Sequence, residues 1–183
     1  AAAGITTVCA SPATQPVVDN TAVLELIQGR AASAGQSRLI PLGALTAGLE
    51  GDHLSQMMAL HRAGCAAMSD GGRPIPNTLV LRRALEYATT HGLTVMVTPQ
   101  DADLTAGGAM HEGWVATRLG IAGIPVAAET VAIARILALV AETGARVHLA
   151  RLSSGEGARL VRRARQDGLP VTADVAMHHL FLT

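Results

Sequence analysis

Lysine is absent from this chain: all 14 basic residues are arginine. Without lysine the chain cannot form a Schiff base, offer a Walker lysine to a nucleotide or bridge two metals through a carbamylated side chain. Aromatics are nearly missing as well, with only Tyr87, Trp114 and Phe181. Formal net charge is zero, so no electrostatic field draws the chain to nucleic acid or to an anionic membrane surface. Cys9 and Cys65 are too few and too far apart for a disulfide framework or a cysteine-rich zinc site, which fits a reducing compartment. No apolar run is long enough to span a bilayer, and no basic leader precedes an apolar stretch. The expectation is a soluble, cytoplasmic protein.

What fills the chain is small and apolar. The hydrophobic fraction is 49% against 15% charged, over 183 residues. That suits helices packed closely on a buried sheet. The stretch Ala145 to Val175 shows the plan most clearly. A short apolar run (Arg146 to Leu152) ends in Ser153-Ser154-Gly155; a helix-patterned segment follows to Gln166, then Gly168 and a second apolar run, Leu169 to Val175. Two such runs around a helix predict a parallel β-α-β unit, with Ser153 or Ser154 capping the helix.

The same plan recurs along the chain and predicts strands over 5–9, 38–45, 65–69, 93–97, 146–152 and 169–175, with a helix between successive strands. Asn20 or Thr21 and Asn77 or Thr78 suit the N-caps of two of those helices. The segment from Ala106 to Pro125 reads as a long connection. Alternation of this kind gives an α/β fold. The first turn lacks G-x-G-x-x-G, which favours about six units of a (β/α)8 TIM-type barrel over a dinucleotide-binding sheet. Ala1 to Gly4 reads as the last turn of a helix, so 1–183 is expected to be a partial barrel domain, a fragment or the ordered part of a longer chain. The barrel's first and last strands would lie outside it.

In barrels of this type chemistry collects where strands run out into loops. Those points carry Ala13, Asp70, Thr98 with Gln100 and Asp101, His148 with Arg151, and His178-His179. The blocks AAAGITTV-CASPATQPVVDN, AMSDGGRPIPNTLVLRRALEYA, GGAMHEGWVATRLGIAGIPVAAET, TGARVHLARLSS and LPVTADVAMHHLFLT together resemble the dihydroorotase family, cyclic amidohydrolases on a (β/α)8 barrel. The resemblance implies a metal site, and here the sequence departs from the pattern. The family's first-strand His-x-His lies outside the chain. Its M-P-N-T-x-P loop reads Ser11-Pro12-Ala13-Thr14-Gln15-Pro16, so the substrate-contacting Asn falls at Ala13. The acidic S/T-D-D-G stretch survives as Ser69-Asp70-Gly71-Gly72. In H-C-E-D the ligand position is Thr98, and the second His of H-I-x-H-L-S is Arg151.

Zinc takes unprotonated N, S or O donors near 2 Å. Threonine is a poor donor, and arginine carries a permanent charge that repels a divalent ion. The expectation that follows is a non-catalytic, dihydroorotase-like chain without cofactor, and the resemblance implies that it is a subunit in a hetero-oligomer with aspartate carbamoyltransferase chains in pyrimidine biosynthesis. The alternative is an active zinc-dependent dihydroorotase closing N-carbamoyl-aspartate to dihydroorotate, and a small-molecule sensor is a third class. Asp70 is either a surviving ligand or, the preferred reading, a partner of Arg73, Arg151 or the glycine-turn N–H groups. Arg151 is expected to fill the vacated metal position and to pair with Asp70, or failing that with Asp101. His148 reads as a hydrogen-bonded core histidine. The adjacent His178 and His179 would face opposite sides of a strand, and Arg162, Arg163 and Arg165 form a solvated helix face.

Overall fold

The computed structural model describes residues 4–181; the helix turn expected over Ala1–Ala3 lies outside the described residues. The chain divides into two compact units, residues 1–96 and 97–183.

In the first unit, β1 (Thr7–Ala10), β2 (Arg38–Ala44), β3 (Ala67–Ser69) and β4 (Thr94–Val97) follow one another with α1 (Thr21–Ala34), α2 (Met57–Arg62) and α3 (Thr78–Thr90) between them. Each strand pairs in parallel with the next, in registers such as Val8↔Leu39, Gly43↔Met68 and Met68↔Val95. The helices start where short polar side chains can accept a free N–H. Asn20 Oδ1 takes Val23 N–H at 3.1 Å, and Asn77 Oδ1 takes Leu79 N–H at 2.9 Å; such a cap contributes about 1 kcal/mol. Leu24, Leu60, Met68, Leu85 and Val95 are fully buried, each contributing about 1.5–3 kcal/mol through loss of apolar surface to water. Gly43 lets α2 close on β2, because a Cβ there would stand 2.9 Å from Met68 Sδ and 3.0 Å from Leu60 Cδ1.

The second unit starts at the last residue of β4, Val97, whose carbonyl accepts Ala150 N–H at 2.9 Å. α6 (Ala127–Thr143), β7 (Arg146–Leu149), α7 (Gly155–Gln166) and β8 (Val171–Ala173) form its parallel β-α-β frame, with the register His148↔Thr172. Ser154 is the cap of α7, its Oγ accepting Gly157 N–H at 2.9 Å. Ile133, Val140, Val147 and Leu149 make the core.

The expectation for 106–125 needs correction. After α4 (Ala102–Thr105), this stretch holds β5 (Met110–His111), α5 (Trp114–Leu119) and β6 (Gly123–Ile124), with β5 and β6 parallel. Strands of two residues are too short to show a period of two. Alternating parallel strands and helices give the α/β class expected, and the units repeat as in part of a (β/α)8 barrel. No described helix is long and apolar enough to cross a membrane.

Candidate functional site

In the first unit the loop after β1 and the turn after β3 come together. Gly71 has φ 62°, and a Cβ on it would lie 3.2 Å from Ala13 Cβ. Ala13 is therefore brought beside the Asp70 turn. Asp70 is buried, and its Oδ1 accepts Gly72 N–H at 2.9 Å while its carbonyl accepts Arg73 N–H at 2.9 Å. Of the readings open to Asp70, acceptance from the glycine turn is therefore present.

In the second unit the structure brings Thr98 and Arg151 together. Arg151 Nη2 donates to Thr98 Oγ1 at 3.0 Å. Arg151 is exposed and sits at φ 61°, a left-handed conformation that costs a non-glycine residue about 1 kcal/mol or more. Its backbone N–H is held by the carboxylate of Asp174, just beyond β8. Asp174 was missed in the sequence. Its other oxygen, Oδ2, stands 3.1 Å from His148 Nε2, and His148 Nδ1 stands 2.8 Å from Thr172 Oγ1. His148 is thus tied at both ring nitrogens, as the hydrogen-bonded reading required, although it is half-buried rather than in the core. Asp101, the second carboxylate expected for Arg151, instead caps α4: its Oδ1 accepts Asp103 N–H at 3.1 Å and Leu104 N–H at 3.0 Å.

Burial works to raise the carboxyl of Asp174. It is outweighed by the Arg151 N–H, by the His148 hydrogen bond and by the charges of both residues, so the group is held below the usual carboxylate value. Asp174 thus stays an anion that fixes the backbone of Arg151 and the ring of His148.

A second carboxylate absent from the sequence reading is Glu129, on α6. It is only 9% exposed. Its Oε2 accepts the N–H and the hydroxyl of Ser153, both at 2.7 Å, and its Oε1 accepts those of Ser154 at 3.1 and 2.6 Å. Four donors at the start of α7 offset the desolvation of one buried charge, and the helix dipole favours it there. The loop carrying Arg151 is therefore anchored one residue beyond Leu152. The only sequence-level signal was an acidic residue among the apolar positions of α6.

His178 and His179 do not lie on a strand. They belong to a short 3-10 turn, Met177–Leu180, where their rings meet edge to face at 4.3 Å and His179 Nδ1 stands 3.1 Å from Leu152 O. Arg162, Arg163 and Arg165 are exposed on α7 as expected. Among the described residues no group of three or more His, Cys, Asp or Glu is arranged to hold a metal. The Thr98 and Arg151 positions do not suit zinc either, since the hydroxyl oxygen accepts a hydrogen bond from a guanidinium. What this strand end offers chemically is a fixed cation.

A family profile described as Dihydro-orotase-like matches residues 1–157. A dihydroorotase-like protein of Pseudomonas aeruginosa is 51% identical over 183 residues, covering 100% of this chain and 43% of its own length. A dihydroorotase of Anaeromyxobacter sp. strain K is 48% identical, covering 100% of this chain and 42% of its own. Among solved structures, the L-hydantoinase of Arthrobacter aurescens superposes with a TM-score of 0.70 at 20% identity, over 94% of this chain and 40% of the other. The chain spans less than half the length of these relatives. The expectation of a non-catalytic protein is corrected by this comparison, because relatives 45–48% identical over 98–100% of the chain are named dihydroorotase.

Proposed function

The chain belongs to the dihydroorotase-like family of amidohydrolases, and from that premise we propose that the whole protein works as a dihydroorotase, interconverting N-carbamoyl-aspartate and dihydroorotate. The observation that carries this reading is the identity of 45–48% to named dihydroorotases along essentially all of the chain. Ring closure joins the carbamoyl nitrogen to the side-chain carboxyl carbon and expels water, so one of the substrate's two carboxylates persists in the product. We assign to that reaction the strand end of the second unit that carries the Thr98–Arg151 pair. The zinc that the family implies would have to be held by residues other than Thr98 and Arg151.

The test is turnover of both substrates by the full-length protein, with and without added zinc. Ring closure above the uncatalysed rate is expected. A folded protein that turns over neither substrate under either condition sinks the reading. Assembly with aspartate carbamoyltransferase chains is a separate proposal, supported by the sequence resemblance. Co-elution of the two proteins as one large species is the expected outcome, and independent elution at all concentrations would remove it.

A further inference from the structure

We propose that Arg151 and Thr98 form a carboxylate-binding site, so that this strand end receives an anion where the family pattern has a metal ligand. The inference rests on the dihydroorotase reading only for the choice of ligand. The geometry itself is independent of it.

Three features build the site. The backbone of Arg151 is held in a left-handed conformation, φ 61°, by the bond from its N–H to Asp174. That carboxylate is also engaged by His148 through Oδ2, and the guanidinium turns to Thr98 instead. The Thr98 hydroxyl then fixes one edge of the fork at 3.0 Å. The remaining guanidinium N–H groups have no partner among the described residues of this unit, and the side chain is exposed. A guanidinium is charged at every accessible pH and presents parallel N–H donors matched to the two oxygens of a carboxylate. A chain that needed only a spacer there would not place an arginine in a strained conformation and then steer its head with a neighbouring hydroxyl. Glu129 does not compete for the fork, since both its oxygens are taken by Ser153 and Ser154.

The ligand class is a small dicarboxylate, of which N-carbamoyl-aspartate is the member the proposed reaction supplies. Arg151→Asn is the informative variant, because asparagine tolerates the left-handed backbone and removes the charge without demanding refolding. Calorimetric titration of the full-length protein with succinate, and separately with N-carbamoyl-aspartate, should show saturable binding that weakens as ionic strength rises. Arg151→Asn should lose at least about tenfold in affinity. Arg151→Lys should recover part of it, having the charge but not the fork. Undiminished binding by a folded Arg151→Asn protein overturns the proposal, as does the absence of saturable binding by the parent. If binding depends on Arg151 while turnover is absent, the carboxylate site stands and the dihydroorotase reading fails. Turnover that persists in Arg151→Asn with unchanged KM has the opposite meaning.

Discussion

Gly157 on α7 makes room for the carboxylate of Glu129 on α6: a Cβ at Gly157 would collide with Glu129 Oε1 and press on Ile133 Cδ1. The glycine is mid-turn in a helix, where alanine would ordinarily stabilise by up to about 1 kcal/mol. Its presence is explained by the acid it faces.

The first prediction follows directly. Gly157→Ala should destabilise the protein by about 1–3 kcal/mol, against its helix propensity, because the Glu129 carboxylate must leave its four donors or α7 must shift. Chemical denaturation of the full-length protein is the measurement. A stabilised variant would show that the two helices separate at no cost.

Removal of the acid gives the second prediction. Glu129→Ala leaves the N–H and hydroxyl groups of Ser153 and Ser154 without their acceptor, a loss of about 1–3 kcal/mol. Glu129→Gln keeps one acceptor oxygen and should lose less. In the Glu129→Ala background, Gly157→Ala should cost less than it does in the parent, because the nearest group it collides with is gone and only Ile133 Cδ1 and Ser154 Oγ must give way. The double variant should therefore be more stable than the sum of the single losses predicts. Strict additivity would refute the coupling.

These residues mark where sequence reading stopped. Caps such as Asn20, Asn77 and Ser154 were legible, since a cap acts within three residues of its own position. The six principal strands were legible because each is an apolar run bounded by turn residues. Glu129 meets its partners 24 and 25 residues away, a distance over which no local pattern operates. Asp174 was hidden for the same reason, as was the left-handed backbone of Arg151, which no sequence signal announces in a non-glycine residue. The strand-end logic did place Thr98 and Arg151 at the same mouth, but it sought a carboxylate for the arginine where the second unit supplies a hydroxyl.

Asp174 carries a pH prediction. Its folded-state value lies below the ordinary carboxylate value of 3.8. Its contribution to stability is therefore complete above that ordinary value and fades as pH falls through the depressed folded one. Asp174→Asn should flatten the acid limb of the stability–pH curve below about pH 4. It should also loosen Arg151, whose N–H loses an anionic acceptor. An acid limb identical in the variant and the parent would exclude this role.

Cys65 should be chemically silent in the folded protein. It is buried, and burial pushes its thiol up to about 11, so at pH 8 almost none of it is thiolate. In a Cys9→Ser background, iodoacetamide should leave Cys65 unlabelled natively and label it after denaturation. Native labelling at the rate of a free thiol would mean that the connection between α2 and β3 opens readily.

The conformation of Arg151 separates strain from binding. A left-handed non-glycine residue costs about 1 kcal/mol or more, and glycine removes that cost. Against it stands the bond from the charged Nη2 to the neutral Thr98 hydroxyl, which is exposed and weakened by competing water, worth about 0.5–1.5 kcal/mol. The two terms nearly cancel, so Arg151→Gly should change stability by less than about 1 kcal/mol in either direction. Arg151→Val should cost more than Arg151→Gly, because a β-branched residue fits the left-handed region worst. Thermal melts of the three proteins at one pH and salt concentration decide the matter. If Arg151→Gly loses several kcal/mol, the arginine is a structural brace and its strain is repaid within the fold. If it loses almost nothing, the fold gains little from keeping a strained, charged residue there, and the reason for it must lie in what the guanidinium meets from outside.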